Sequence, residues 1–133
     1  MLNDMLLTEL IDHLNQPAFL TDMVTRKILY SNTAHENLMN SVALSSTSRN
    51  IDNLILQQPS PLIVAELEYC KHVENTAIES MSTTIAREIF GGQVYFTLRT
   101  VVLFNEKPAL FSLIFKSETI DKISCNEMES FVI

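Results

Sequence analysis

The feature that most constrains the fold is a run of three strand-like segments in the second half of the chain. Residues 85–90, 93–104 and 109–115 are rich in apolar, aromatic and β-branched side chains. Gly91 and Gly92 separate the first two segments, and the polar residues 105–108 separate the last two. Short turns of this kind join antiparallel neighbours. The sequence therefore predicts an antiparallel three-stranded meander.

The first half of the chain predicts one further β-hairpin, with helices before and after it. Residues 18–24 and 27–31 read as its strands, and helices are expected at 2–14, 33–39, 51–56 and 61–75. The last helix has the clearest beginning, because Ser60 can cap it and proline at the first helical position is well tolerated. Strands and helices that are segregated along the chain favour the α+β class with one antiparallel sheet.

Composition narrows the possible functions. A chain of 133 residues with 47% hydrophobic residues is long enough for one domain. The net charge of −7 argues against direct contact with nucleic acid. No stretch approaches the ~20 apolar residues of a membrane span, and no signal peptide is apparent. Cys70 and Cys125 lie far apart and read as reduced thiols, so a cytoplasmic location is expected.

The N-terminal helix carries more apolar surface than packing against a single domain requires. Its apolar side chains recur at helical spacing and cover about half of the circumference, whereas one contact surface needs about a third. These side chains are Leu2, Met5, Leu6, Leu7, Leu10, Ile11 and Leu14. We expect the excess to form a homodimer interface that includes Leu6, Leu10 and Leu14.

Two short stretches resemble the PAS family of sensory and regulatory modules. Residues 17–22 (PAFLTD) and 27–34 (KILYSNTA) are similar to the opening hairpin of that family, in which a strand ending in Asp precedes a strand ending in Asn-x-Ala. Asn32 can leave the strand by bonding local backbone and start the next helix. The meander at 85–115 is similar to the family's closing strands. The resemblance covers about residues 16–117.

The resemblance implies a five-stranded antiparallel sheet with helices on one face and an N-terminal amphipathic cap helix. It divides the chain into a cap helix at 1–15, a PAS-like core at 16–117, and an exit helix or linker at 118–133 towards an effector. The implied role is that of a non-enzymatic sensory and dimerisation domain in bacterial-type signal transduction, such as a two-component or transcription regulator. Its partners would be a small molecule or another protein domain, with no nucleic acid and no membrane.

A ligand of such a module would lie between the sheet and the helices. The even-numbered face of 93–104 is the more apolar one, so we expect it to face the helices and to line a pocket with Phe96, Leu98 and Val102. From the helix at 61–75, Cys70 and Glu66 fall on the apolar side, with Glu66 either at the rim or as a polar anchor within the pocket. Arg99 then lies on the opposite face, either exposed or paired with Glu9 or Asp12.

The sequence gives no positive sign of a cofactor or a metal. Haem would need an axial ligand, and His72 projects away from the apolar side of its helix. Cys70 does not stand in the Asn-Cys-Arg motif of photosensory flavin domains. Three scattered histidines do not make a metal site. Haem and flavin are therefore disfavoured, and no cofactor is expected.

Two other functions remain open from the sequence. One is a structural dimerisation module whose core has no cavity. The other is a small α+β cone isomerase or dehydratase, which would require titratable side chains facing inward from the long strands. The apolar even face of 93–104 disfavours that enzyme.

Overall fold

The structure is a computed structural model that describes residues 3–41, 50–116 and 130–132. Its helices are α1 (Asp4–His13), α2 (Thr33–Ser41), α3 (Ile51–Gln57) and α4 (Pro61–Ser80). Its strands are β1 (Ala18–Asp22), β2 (Ile28–Ser31), β3 (Thr84–Phe90), β4 (Gln93–Phe104), β5 (Lys107–Lys116) and β6 (Ser130–Val132). The helices and strands predicted within 3–41 and 50–116 are all present. The main difference is α4, which extends beyond the predicted end at residue 75.

The strands form one antiparallel sheet in the order β2-β1-β5-β4-β3-β6. The first five strands are the predicted five-stranded sheet, so the α+β prediction is confirmed. Strand β6 adds a short pairing at the edge of β3. An exit helix or linker was predicted at 118–133; residues 117–129 and 133 lie outside the described residues, and 130–132 form β6. The exit segment as a whole stays a prediction.

The two faces of the sheet are covered by different helices. Arg99 of β4 stands opposite Ser112 of β5 and opposite Thr84 of β3, and its side chain contacts α4. On the other face, Leu7 and Ile11 of α1 pack into a cluster. The strand residues of this cluster are Ala18, Leu20, Tyr30, Val102, Phe104, Phe111 and Leu113. The sheet is therefore a central layer with α1 on one side and α4 on the other.

The predicted orientation of β4 was wrong. Its odd-numbered residues face α4, and its even-numbered residues face the side on which α1 packs. The sequence misled because hydrophobicity alone assigned the more apolar face to the larger helical layer. The even face is apolar because α1 and aromatic neighbours cover it, while the odd face buries polar residues that find partners on α4 and β3.

Asn32 joins three elements at the point where β2 passes into α2. Its Oδ1 accepts hydrogen bonds from the backbone N–H groups of Ala18 (3.1 Å) and His35 (2.9 Å). Its Nδ2 donates to the carbonyl oxygens of Ile11 (3.0 Å) and Gln16 (2.9 Å). The bond from His35 caps α2, the bond from Ala18 holds the start of β1, and the two bonds donated by Nδ2 tie down the end of α1 and the segment that follows it. The predicted role of Asn32 as a helix start is confirmed.

Helix α1 is held at both ends across the sheet. Near its first turn, Asp4 Oδ2 accepts a hydrogen bond from the backbone N–H of Asn105, 3.0 Å away in the β4–β5 turn. Near its last turn, the hydroxyl of Tyr30 donates to Asp12 Oδ2 at 2.6 Å. These contacts fix which side of α1 faces the sheet, and so which side faces away from it.

Candidate functional site

A cavity lies between helices α2, α3 and α4 and the face of the sheet that α4 covers. Its volume is about 60 Å³. Most of its lining is apolar: Phe19, Ile28, Leu38, Met39, Ile51, Leu54, Leu67, Cys70, Phe90 and Ile114. The polar lining residues are Thr21, Arg26, His35, Asn50, Glu74 and Arg99. The site is thus an apolar chamber with a few polar groups, which is the usual make-up of a small-molecule site.

Arg99 is the centre of a buried polar network beside this cavity. Its side chain has no exposed surface. Nη2 donates to Glu88 Oε2 at 2.9 Å, and Nη1 donates to Ser112 Oγ at 2.6 Å and lies 3.4 Å from Glu74 Oε2. Thr97 donates its hydroxyl hydrogen to the same Glu88 oxygen. Strands β3, β4 and β5 and helix α4 are therefore joined by one charged cluster.

Arg26 reaches the same cluster from the β1–β2 turn. It has a left-handed backbone conformation (φ 62°), and Asp22 Oδ1 holds the turn by accepting the N–H groups of Val24 and Thr25 at 2.8 Å each. Nη2 of Arg26 donates to Asn75 Oδ1 on α4. Nη1 lies 3.6 Å from Glu74 Oε1, close enough for an ion pair but too far for a hydrogen bond. The turn therefore places a second guanidinium at the cavity.

Burial shifts the titration of several of these groups. Desolvation raises the pKa of Glu74, although Arg99 partly opposes that shift. Desolvation likewise raises the pKa of the Cys70 thiol, whose sulfur lies 3.4 Å from Arg99 Nη2. Burial alone would lower the pKa of Arg99, but Glu88, Cys70 and Glu74 outweigh it and raise that pKa. Arg99 therefore stays charged, and Cys70 stays a thiol.

His35 forms part of the opposite wall. Its ring packs on Phe19 with 4.4 Å between the ring centroids. Desolvation, with a smaller contribution from the charge on Arg99, lowers the pKa of His35 to about 4. The imidazole is therefore neutral at physiological pH.

Four polar atoms of the cavity lining are buried and find no hydrogen-bond partner within 3–41, 50–116 and 130–132. They are Thr21 Oγ1, Arg26 Nη1, His35 Nδ1 and Arg99 Nε. A buried polar atom without a partner costs about 1–3 kcal/mol. Four of them around one cavity offer hydrogen-bonding positions to water or to a polar molecule.

The residues predicted to line a pocket are not brought together. Cys70 does line the cavity. Phe96, Leu98 and Val102 lie on the opposite face of the sheet, Phe96 and Leu98 in a cluster with Ile85 and Phe115, and Val102 in the cluster under α1. The expected location of these three is corrected for the same reason as the orientation of β4. Whether any of them contacts a ligand stays a prediction.

Glu66 has a structural contact instead of a place in the cavity lining. Its two carboxylate oxygens accept the backbone N–H groups of Gly91 (2.9 Å) and Gly92 (3.1 Å). Both glycines have positive φ, at 59° and 80°, so their N–H groups turn towards α4. The carboxylate thereby fixes the β3–β4 turn to the helix.

Sequence reasoning missed the polar half of the site. Thr21, Arg26, His35, Glu74 and Glu88 were not singled out, and Arg99 was placed on the wrong face. One signal was available: Glu88 and Arg99 are opposite charges in two neighbouring strands that are rich in apolar residues. Charged side chains at such positions are rarely buried unless they are paired.

The predicted dimer residues divide into two groups. Leu6 and Leu10 are 48% and 47% exposed, and Met5 beside them is 70% exposed. Leu14 instead packs against the protein's own core under α1. An apolar surface formed by Met5, Leu6 and Leu10, here called the α1 outer face, is therefore available for a contact. Dimerisation itself stays a prediction.

Large cofactors do not fit the cavity. Ligand pockets commonly have volumes of about 300–1,000 Å³, against about 60 Å³ here. His72 is exposed on α4, as its position on the helix indicated. Among the described residues, no three His, Cys, Asp or Glu side chains are placed to hold a metal ion, and no helix is long and apolar enough to cross a membrane.

Solved structures with the same architecture identify the fold as a PAS fold. The PAS domain of BvgS from Bordetella pertussis matches with a TM-score of 0.55 and 13% identity, over 88% of this chain and 90% of that one. An RNA-binding light-oxygen-voltage receptor matches with a TM-score of 0.53 and 15% identity, over 88% of this chain and 34% of that one. No family model matches the sequence, and no curated protein does. The chain is a PAS-like domain, as the hairpin motif predicted.

Proposed function

We propose that this PAS-like domain is the sensory module of a cytoplasmic signalling protein, and that it responds to a small molecule bound in the cavity. The observation that carries the proposal is the set of four unpartnered buried atoms of Thr21, Arg26, His35 and Arg99 around one chamber. A core that served only to hold the fold together would gain stability by replacing such groups with apolar ones.

The position of the cavity supports a regulatory role. Its polar lining comes from β1, the β1–β2 turn, α2, α4 and β4, so an occupant would contact most layers of the fold at once. Arg26 is the most sensitive point, because it connects the turn to Asn75 and Glu74 of α4. A ligand that competes for Arg26 would change how the hairpin is held to the helix.

A matched pair of variants on α3 tests ligand binding. Leu54 is buried and lines the cavity, whereas Leu56 is 83% exposed on the same helix. Thermal unfolding is recorded for the wild type, Leu54→Phe and Leu56→Phe against a panel of small polar metabolites. We expect compounds that raise the melting temperature of the wild type and of Leu56→Phe but not of Leu54→Phe. A panel without any such compound would contradict the proposal.

The enzyme alternative requires titratable groups inside the fold. The structure has such groups, although the sequence did not predict them. Glu74, Glu88 and His35 all lie inside the fold. Both carboxylates contact the guanidinium of Arg99, Glu74 at 3.4 Å and Glu88 at 2.9 Å, and so serve as its counter-ions inside the fold. The pKa of His35, at about 4, is low for a general base at neutral pH. These pairings support a binding role over acid–base catalysis.

Homodimerisation is the second part of the proposal, and the α1 outer face supports it. Met5, Leu6 and Leu10 are exposed, whereas Leu7 and Ile11 of the same helix are buried. Burying a leucine side chain contributes about 1.5–3 kcal/mol. Contact between two such faces would place α1 where a change in the domain reaches the partner, and through it an effector in the same or another chain.

Sedimentation equilibrium tests the dimer directly. The double variant Leu6→Glu, Leu10→Glu keeps helix-forming residues but places charges on the α1 outer face. Leu62→Glu is the control, because Leu62 is 67% exposed on α4 and away from α1. We expect dimers of the wild type and of Leu62→Glu, and monomers of the double variant. A monomeric wild type, or a double variant that still dimerises, would contradict this part of the proposal.

A further inference from the structure

The chemistry of the cavity's open hydrogen-bonding positions restricts what can occupy it. Thr21, His35 and Arg99 are 2%, 4% and 0% exposed, and each has a buried polar atom without a partner in the described part of the chain. Arg99 Nε and Arg26 Nη1 belong to guanidinium groups, which donate hydrogen bonds and never accept them. An occupant must therefore bring acceptor atoms.

The orientation of Arg26 leaves one arm of its guanidinium open. Asn75 accepts from Nη2, while Nη1 is buried and 3.6 Å from Glu74 Oε1. A planar guanidinium with a free N–H matches the geometry of a carboxylate better than that of other small acceptors. The arrangement thus favours an occupant with carboxylate oxygens.

The charge of the surrounding groups is compatible with an anion. Arg26 and Arg99 carry two positive charges, and Glu74 and Glu88 can carry two negative ones. Desolvation raises the pKa of Glu74. A proton taken up by this carboxyl when a monoanion binds keeps the sum of the charges at zero.

Size and lining limit the rest of the molecule. A volume of about 60 Å³ is open to the centres of water-sized molecules. One water needs at least about 10–15 Å³ on this measure, so the cavity has room for a few waters or for a molecule with only a few heavy atoms. The other walls are apolar, with Phe19, Ile114 and Leu67 among them. A short hydrocarbon end suits these walls, whereas a sugar or a nucleotide is too large and too polar.

We propose that the cavity binds a short-chain monocarboxylate, with its oxygens at the open donors of Arg26, Arg99 and Thr21 and its alkyl end against the apolar wall. This inference rests on the proposed sensory function, because it names the class of ligand for that cavity. It adds that Arg26 is the recognition residue, exchanging its contact with Glu74 for one with the ligand.

Calorimetric titration with sodium acetate, propionate and butyrate tests the proposal, with the matching amides (acetamide, propionamide and butyramide) as neutral analogues of the same shape. Ionic strength is held constant with sodium chloride. We expect at least one carboxylate to bind with a dissociation constant tenfold or more below that of its amide. Arg26→Gln should weaken that binding at least tenfold. Lys27→Gln is the matched control, because Lys27 is exposed and does not line the cavity.

A second variant keeps the test sound if Arg26→Gln folds poorly. Thr21→Val has nearly the same shape, removes one unpartnered hydroxyl, and should weaken carboxylate binding without lowering the melting temperature. Absence of carboxylate binding, equal binding by Arg26→Gln and the wild type, or equal binding of the amides would each overturn the proposal. The panel tested on Leu54→Phe separates these results from a failure of the sensory function, because other compounds can still bind in the cavity.

Discussion

Nη2 of Arg99 lies 2.9 Å from Oε2 of Glu88, and neither side chain is open to solvent. The pair crosses from β4 to β3 within the sheet, and Thr97 and Ser112 add one hydrogen bond each to it. Because both side chains are buried, the loss of one partner leaves a buried charge without compensation. The network is therefore the part of the core most sensitive to single substitutions.

Replacing Arg99 tests this sensitivity. We expect Arg99→Met to lower the free energy of unfolding by about 3–5 kcal/mol, as measured by urea denaturation. Adding Glu88→Gln removes the carboxylate charge that Arg99→Met leaves without a partner. The double variant should therefore lose less stability than the sum of the losses of the two single variants. Lys116→Met, on an exposed position of β5, should change stability by no more than about 0.5 kcal/mol. Additive effects of Arg99→Met and Glu88→Gln would show that the two residues are not coupled.

The sequence predicted where the helices and strands lie better than it predicted which side of each one is buried. The meander was predicted from its turns, which contain Gly91 and Gly92 and the polar residues 105–108. This worked because the residues that favour a turn lie within the turn itself. The burial of Arg99 is not local: Glu88 and Glu74 are 11 and 25 residues away from it in the chain. No periodicity within β4 records that these partners exist. Apart from the opposite charges of Glu88 and Arg99, the sequence therefore showed no sign of the polar half of the site, whereas Cys70 was found from its helix alone.

Helix α1 is a second case in which the sequence did not predict the partner of a buried surface. Its wide apolar stripe divides into a buried part, with Leu7 and Ile11, and an exposed part, with Leu6 and Leu10. The second contact surface stays a prediction. The stripe did not reveal which strand face Leu7 and Ile11 would cover. That choice depends on Asp4 and Asp12 meeting Asn105 and Tyr30, which are distant in sequence.

Asn32 should be among the least replaceable polar residues of the chain. Asn32→Ala removes the cap of α2, which by itself is worth about 0.5–2 kcal/mol, and leaves the N–H of Ala18 and the carbonyl of Ile11 without their partner. We therefore expect a larger loss, about 2–4 kcal/mol in urea denaturation. Asn32→Asp keeps the acceptor oxygen but loses both hydrogen bonds that Nδ2 donates. Its free energy of unfolding should therefore lie between those of the wild type and Asn32→Ala.

Asn37→Ala is the control for that substitution, because Asn37 is exposed in the same helix. Alanine has the higher helix propensity, so this variant should be as stable as the wild type or slightly more so. Equal losses from Asn32→Ala and Asn37→Ala would contradict the role given to Asn32.

Glu66 is expected to stabilise the β3–β4 turn. Glu66→Ala removes both hydrogen bonds to the N–H groups of Gly91 and Gly92, and should lower the free energy of unfolding by about 1–2 kcal/mol. Glu68→Ala, an exposed position on the same helix, is the matched control and should be nearly neutral. Amide hydrogen exchange gives the specific readout: the N–H groups of Gly91 and Gly92 should exchange faster in Glu66→Ala only. Unchanged exchange at both glycines would contradict the contact.

His35 should make the domain less stable in mild acid. Its pKa is about 4 in the folded protein, against an ordinary value of 6.5, so the unfolded chain binds more protons between these values. The contribution of neutral His35 to stability is therefore complete above pH 6.5 and is lost as the pH falls towards 4. A difference of that size corresponds to about 3 kcal/mol.

The variant His35→Leu isolates this contribution. Glu74 works in the opposite direction, because its raised pKa makes the folded state lose stability as the pH rises through that pKa. Glu74 is present in both proteins, so the difference in free energy of unfolding between wild type and His35→Leu reports on His35. We expect this difference to change in favour of His35→Leu by about 3 kcal/mol between pH 7 and pH 4, as measured by urea denaturation at each pH. A difference that stays constant across this range would mean that His35 titrates normally and that its burial against Phe19 is incomplete in solution.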